Sequence, residues 1–545
     1  MTSALVLSVI LLFFLAYRFY GRWLEKRWRI NPDKPTPAHT ERDDIDYVPT
    51  KRPVLFGHHF ASIAGAAPII GPIAASIFGW APVFVWIVFA GIFFGSVHDF
   101  GALFTSIRHK GNNLSQVIGE NTTQRNRLLF AWFVWLTSIL VIAAFTSIVA
   151  DSFVKMPAAA TASILFLILA VFFGMVMRRL QLPLFLLTLI GILLMAGAIY
   201  IGILFPMSLS KPVWMIIITA YIAVASIAPV WLLLQPRDYL NSFLLFTLIF
   251  AAAIGVLWLN PELQSPAFTG FEVNNMHLFP LLFVMVACGA ISGYHSMFAS
   301  TTTSKQVNNE KDIRPIAMGG MLVESFLAVI ALIVAAQLSR GQFNELYNNG
   351  GPIAIFSSGL AGLVQKLGLP YQASASFVVL AISSFALTSL DSVARVARSI
   401  LQHTADNNRI MTTIGLSSVL KSKVGATLLT VLVGGIAAFT KWQIIWPIFG
   451  CANQLIAALA LVIVFIWLKS TNRTYKVLII PMVFMLIVES VALIQLTIKS
   501  VLDGSYVLAV VSVTLFILSV LFLLQSRAFI FSPRGAKSPV VISKI

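Results

Sequence analysis

The sequence predicts an all-α polytopic membrane protein, and three observations predict it. Of its 545 residues, 58% are hydrophobic and only 10% charged, with a mean hydropathy of +0.90. A soluble protein of this size needs more polar surface than that. Apolar runs longer than ~18 residues recur along the chain and are continuous rather than alternating, which selects helices over a barrel. Basic residues gather in the short connections between the runs, as the positive-inside rule requires.

About fifteen spans are expected, near 3–20, 53–79, 81–107, 128–150, 160–177, 183–205, 213–234, 240–258, 278–301, 316–338, 372–394, 424–440, 445–468, 477–498 and 506–525. The first run has no basic region before it and no small-residue cleavage site after it, so it reads as a retained span. Starting outside and alternating sides, the cytoplasm collects all 37 Lys and Arg except Lys155, Lys211, Arg340, Lys366, Lys441 and Lys499. That bias places the N-terminus outside and the C-terminus in the cytoplasm. The net charge of +17 therefore sits in loops, and a nucleic-acid partner is not expected.

The organisation expected is an extra helix (1–20), a polar cytoplasmic linker (21–52), a core (53–470), a helix pair (471–525) and a basic cytoplasmic tail (526–545). The tail's simplest contact is anionic lipid. Residues 339–371 form the longest outside connection, and the apolar, glycine-rich part of it fits a re-entrant or interfacial helix. The run Arg42 to Asp46 reads as a solvated loop.

Two spans are expected to be broken. Within 53–79, the stretch Phe56 to Pro72 reads FGHHFASIAGAAPIIGP, with Pro68 and Pro72 each removing a backbone donor near Gly65 and Gly71. A break near 65–72 leaves unpaired N–H and C=O groups at membrane depth, tolerable only against protein or a wet cavity. Residues 287–304, ACGAISGYHSMFASTTTS, place Gly289, Gly293, His295 and hydroxyls inside a second apolar run, with a break near 289–295. The two broken spans run in opposite directions, which an inverted repeat requires. Transporters bind cargo at such breaks, freed amides holding anions and freed carbonyls cations.

Other polar residues lie at depth. His58 and His59 precede the first break. His98 and Asp99 fall two turns before Arg108, where a structural ion pair is expected. Glu324 has no basic residue within two turns. Asp391 and Arg395 have the i,i+4 spacing of a local salt bridge. Ser384 and Thr388 share a helix face and suit a hard cation. Asn453 and Gln454 are candidates for a substrate path, and Glu489 reads as structural. Cys288 and Cys451 lie in separate apolar runs and read as packing residues, with neither disulfide nor metal site expected. No nucleotide loop, zinc spacing or nucleophile elbow occurs, which excludes ATP-driven transport and leaves ion coupling.

The stretches FGHHFASIAGAAPIIGP, GSVHDFGALFTSIRHKGNNL, PRDYLNSF, CGAISGYHSMFASTTTSKQ, LTSLDSVARVAR and WPIFGCANQLIAALAL resemble successive signatures of the carbon starvation protein A family, over about residues 50–470. Ser300 departs from a glycine in the family's phrase. The resemblance implies a leucine-transporter-like fold of the amino acid–polyamine–organocation superfamily: two inverted five-helix repeats plus extra helices, in a bacterial inner membrane. Seven helices occur from the first broken helix up to the second, so the first repeat needs an inserted pair between 81 and 258.

The function expected is cation-coupled (H⁺ or Na⁺) uptake of peptides or pyruvate-like carboxylates. Gly65, Ala66, Ala67, Gly289, Gly293, Tyr294 and Asn453 would contact substrate. Ala64, Ser384 and Thr388 would hold a coupling ion, and His59, His295 and Glu324 would relay protons. No cofactor beyond the coupling cation and no enzymatic activity is expected. The partners are a small-molecule substrate and the bilayer, with oligomeric state left open. The alternatives are a passive channel or a membrane-embedded nutrient sensor.

Overall fold

The computed structural model describes residues 1–179, 183–273, 276–405, 416–440 and 442–535. Lys441 and the end of the basic tail, 536–545, lie outside the described residues. Helices dominate. Their order is α1 (Thr2–Trp28), α2 (Arg52–Ile63), α3 (Ala67–Ala75), α4 (Trp80–Arg108), α5 (Leu114–Asn121), α6 (Gln124–Lys155), α7 (Pro157–Arg179), α8 (Leu184–Leu204), α9 (Lys211–Ile227) and α10 (Leu234–Leu259). Then follow α11 (Leu278–Met285), α12 (Gly293–Thr301), α13 (Glu310–Ala336), α14 (Arg340–Gln365), α15 (Tyr371–Ala405), α16 (Lys423–Ala437), α17 (Trp442–Ser470), α18 (Lys476–Leu502) and α19 (Tyr506–Ile530).

Every expected span coincides with a helix or an interrupted pair. Among the described residues, 11 helices are long and apolar enough to cross a membrane, or 12 counting the bent pair α2–α3. The other expected spans are the shorter apolar helices α9 and α16 and the interrupted pair α11–α12.

Two boundaries differ from expectation. The first helix does not stop at residue 20; it runs through a π-turn at Ala16–Tyr20 to Trp28. Gly21, Leu24 and Trp28 are buried while Arg22, Lys26 and Arg27 are exposed, so the polar composition of this segment is an amphipathic face and not a linker. Trp28 packs on Phe100 and Phe104 and donates to the Thr474 carbonyl at 2.8 Å. The outside connection is the 26-residue helix α14, kinked at Gly351 and packed on α15.

The acidic run in the linker that remains folds around one side chain. Asp43 Oδ1 accepts the amides of Ile45, Asp46 and Tyr47 at 2.8–2.9 Å. Partial burial pushes the carboxyl up, but these three donors hold it below its ordinary range.

The core is centred on α17, whose 18-residue apolar window is wholly buried. The helices α8 and α19 instead expose Phe185, Leu193, Val507 and Val510, apolar side chains suited to hydrocarbon.

Candidate functional site

The first span breaks where glycine and alanine replace bulky residues. Helix α2 ends at Ile63, α3 begins at Ala67, and the two axes differ by 41°. The interruption is Ala64–Ala66, shorter than the expected Gly65 to Pro72. Pro68 lies in the first turn of α3, where no donor is needed, and Pro72 is carried within that helix. Among the described residues, the amides of Gly65, Ala66 and Ala67 donate no hydrogen bond.

The second break is Val286–Ser292, beginning before the expected 289–295. Gly293, Tyr294 and His295 are the first turn of α12. The amides of Gly289, Ser292 and Gly293 likewise have no acceptor among the described residues. Helix α17 supports this loop. Asn453 accepts the Tyr294 amide at 3.0 Å and donates to Ser292 Oγ at 3.1 Å. Gln454 donates to the carbonyls of Phe283 and Val286 at 2.8 and 3.2 Å. Tyr294 OH reaches Ser138 on α6 at 3.0 Å.

The two interrupted spans pack on each other through α3 and α11. A Cβ added at Gly71 on α3 would stand 2.5 Å from the Met285 carbonyl oxygen, at the end of α11. Only glycine lets the two backbones approach this closely. A cavity of about 650 Å³ reaches this junction, lined by Ile70, Met285, Trp446, Gly450, Gln495 and Lys499.

Two buried charge clusters flank the junction. Beside the first break, His58 Nδ1 stands 2.8 Å from Asp238 Oδ2, which also accepts from Ser62 at 3.4 Å. Arg237 pairs with Asp238 at 2.9 Å and directly with Asp391, which Tyr221 also contacts. Ser389 donates to the Ser62 carbonyl at 3.4 Å.

Beside the second break, Asp99 bridges two imidazoles, His98 at 2.7 Å and His295 at 2.9 Å. His295 Nε2 is 3.2 Å from Glu324 Oε2, within ion-pair range but off the line of a hydrogen bond. Cys288 Sγ completes the group.

The expected site residues therefore divide. Gly65, Ala66, Ala67, Gly289 and Gly293 lie at the paired breaks, with Tyr294 and Asn453 holding the second. Ala64 caps α2. His295 and Glu324 are brought together, but His59 is held apart by a 2.9 Å contact with Thr303 Oγ1. Thr388 bonds Asn241 and the Ser384 carbonyl, and α15 turns Ser389 and Ser392 toward Ser62 instead.

Two expected ion pairs do not form. Arg108 pairs with Glu310 at 2.8 Å and not with Asp99. Arg395 reaches Asp46 at 3.7 Å and the Ala225 and Ala228 carbonyls, leaving Asp391 to Arg237. Sequence spacing along one helix finds local partners, and both carboxylates bond across helices instead. Arg237 and Asp238 were visible only as a polar pair in PRDYLNSF, at the start of an apolar run.

Paired breaks inside a helical bundle define a multi-pass membrane protein on a transporter fold. A manganese transporter from Eremococcus coleocola, in complex with an aromatic bis-isothiourea substituted compound, shares that fold at a TM-score of 0.50, with 11% identity over 90% of this chain and 99% of that one. The carbon starvation protein CstA family profile matches residues 1–350 and 342–492, and the chain belongs to that family. A peptide transporter CstA from Campylobacter jejuni is 31% identical over 554 residues, spanning 89% of this chain and 78% of the relative. The pyruvate/proton symporter BtsT of Escherichia coli is 30% identical over 591 residues, spanning 90% and 81%.

Proposed function

We propose that the protein is a cation-coupled carrier taking up peptides or pyruvate-like carboxylates across a bacterial inner membrane, N-terminus outside and C-terminus inside. The observation that carries this reading is the pair of interrupted spans, packed on each other through α3 and α11 beside a cavity, each break leaving amides undonated. Freed amides favour a carboxylate. Lys499 in the cavity wall would draw the anion inward. The relatives named as a peptide transporter and a pyruvate/proton symporter favour the same two substrate classes.

The helix pairings support the inverted-repeat, leucine-transporter-like fold. Let α2/α3, α4, α6, α9 and α10 be matched in order with α11/α12, α13, α15, α16 and α17. Under that exchange, α3 on α13 becomes α12 on α4, and α6 on α16 becomes α15 on α9. In the same way α2 on α10 becomes α11 on α17, and all six contacts are present. Between the matched helices of the first set, α7 and α8 are the unmatched long helices, packed on each other, and we assign them as the inserted pair.

For the coupling cation we favour a proton at the His58–Asp238 pair. It abuts the first break and is faced by Arg237 and Ser62, with Asp391 beyond Arg237. Uptake of labelled pyruvate and of dipeptides into proteoliposomes, with and without an inward proton gradient, tests the reading. Gradient-driven accumulation of either supports it. Gradient-independent flux would establish a channel, and binding without counterflow a sensor.

A further inference from the structure

The buried group beside the second break has a chemistry that carboxylate transport does not use. Cys288 lies in the break itself, His295 in the first turn of α12, and Glu324 on α13. One ligand atom from each lies within 4.8 Å of the other two. All three side chains are buried. Neither Glu324 oxygen has a hydrogen-bond partner among the described residues, nor does His295 Nε2. His295 Nε2 and Glu324 Oε2 face each other at 3.2 Å without a formed hydrogen bond and Glu324 Oε1 has no partner, a buried arrangement that is costly unless something satisfies these atoms together.

The surroundings are those of a metal ligand set. His295 uses Nδ1 for Asp99 at 2.9 Å, which directs Nε2 at the group. A carboxylate behind a ligating imidazole fixes its tautomer and raises its basicity. Asp99 is itself braced by His98 at 2.7 Å. A protonated His295 between Asp99 and Glu324 would pair with both carboxylates, while Cys288 Sγ makes only long contacts among the described residues, to Ser292 Oγ at 3.5 Å and from Asn453 Nδ2 at 3.8 Å.

We infer that Cys288, His295 and Glu324 form a binding site for one zinc-class divalent transition-metal ion. Thiolate with imidazole excludes Mg²⁺ and Na⁺ as the preferred occupant, since those ions take oxygen ligands. Ligands on a ~2.0–2.3 Å tetrahedral shell stand ~3.3–3.8 Å apart. The site thus reaches binding geometry by side-chain adjustment alone. Three protein ligands leave a fourth position for water or a substrate oxygen. The thiolate and Glu324 supply two negative charges to a dication, so the ion enters without net charge. The ion would tie the break to α13. It would also occupy the nitrogen through which His295 could relay a proton, leaving proton handling to the His58–Asp238 pair.

The test uses the full chain in detergent, stripped with a chelator and titrated with Co²⁺. We expect saturation at one equivalent, with a thiolate-to-cobalt charge-transfer band and tetrahedral ligand-field bands that Zn²⁺ abolishes. Cys288→Ser should lose the charge-transfer band. Glu324→Gln should weaken binding at least tenfold. Cys451→Ser, outside the site, should titrate as wild type. Zn²⁺ should raise the melting temperature of the wild type and of Cys451→Ser but not of Cys288→Ser. Absence of the thiolate band in the wild type overturns the inference whether or not any variant folds. So does an unchanged band in Cys288→Ser, which would place the metal elsewhere.

Discussion

Gly71→Ala tests whether the two interrupted spans must touch through α3 and α11. The added Cβ would meet the Met285 carbonyl oxygen at 2.5 Å, with the Met285 carbonyl carbon and Val286 Cα both at 3.4 Å. Ordinary contact begins at 3.4 Å, so the oxygen must retreat by about 0.9 Å. It is main chain, and no rotamer change relieves the overlap. Overpacking of this kind costs ~1–3 kcal/mol, against ~0.5–1 kcal/mol that alanine gains over glycine in a helix. The net loss is up to about 2.5 kcal/mol, concentrated at the junction. If uptake passes through the touching spans, each ~1.4 kcal/mol lowers its rate about tenfold. Uptake in proteoliposomes should fall, by up to about sixtyfold, with a small drop in melting temperature. Gly362→Ala on α14 is the control, since its Cβ meets nothing within 4 Å and should leave uptake unchanged. Wild-type uptake and melting in Gly71→Ala would refute the proposal that cargo depends on this contact.

Three further outcomes follow from the same geometry. Asp391→Asn leaves Asp238 as the one carboxylate paired with Arg237 among the described residues, beside the Tyr221 hydroxyl; breaking a buried pair costs ~3–5 kcal/mol, so purified protein should melt markedly lower, and the double variant Arg237→Met/Asp391→Leu should recover part of the loss. Asn453→Ala removes the acceptor of the Tyr294 amide and the donor to Ser292, stranding buried groups at ~1–3 kcal/mol each, so uptake should fall at least tenfold. His109, just past the end of α4, donates from Nδ1 to the Thr105 carbonyl at 2.7 Å and accepts from Asn121 at 3.0 Å. Burial holds its imidazole below the ordinary histidine range, so the unfolded chain protonates first, and melting temperature should drop as pH falls below ~6.5. His109→Gln should flatten that dependence, and an equal pH dependence in the variant would assign the effect to another group.

The sequence revealed the features that composition and spacing encode. Gly65, Pro68, Gly71 and Pro72 marked a helix that could not be regular, and Gly289 with Gly293 marked its counterpart. The limits of each break were not legible, because proline is disruptive or harmless according to where a helix begins. Pro68 falls in a first turn and so starts α3. Charges at depth were legible as anomalies, while their partners were not. Asp99 and Asp391 each had a basic residue nearby in sequence and bonded to one nearly two hundred or about one hundred and fifty positions away. The helical course of 21–28 was present as the stripe Gly21, Leu24 and Trp28, obscured by the charges on its other face.

The two charge clusters share a plan and differ in balance, and the difference separates their roles. Each holds a histidine by Nδ1 against an aspartate of a neighbouring helix, at 2.8 Å in one case and 2.9 Å in the other. Beside the first break, Arg237 stands with Asp238 and Asp391, so among these three one carboxylate is in excess, and His58 faces Asp238. Beside the second, Asp99 and Glu324 face only the imidazoles of His98 and His295 among the described ion pairs, and Cys288 adds a thiol. Burial at membrane depth makes such imbalances expensive. The two clusters thus offer the proposed proton and the proposed dication different surroundings, one faced by an arginine beside α2 and the other by a thiol beside α12.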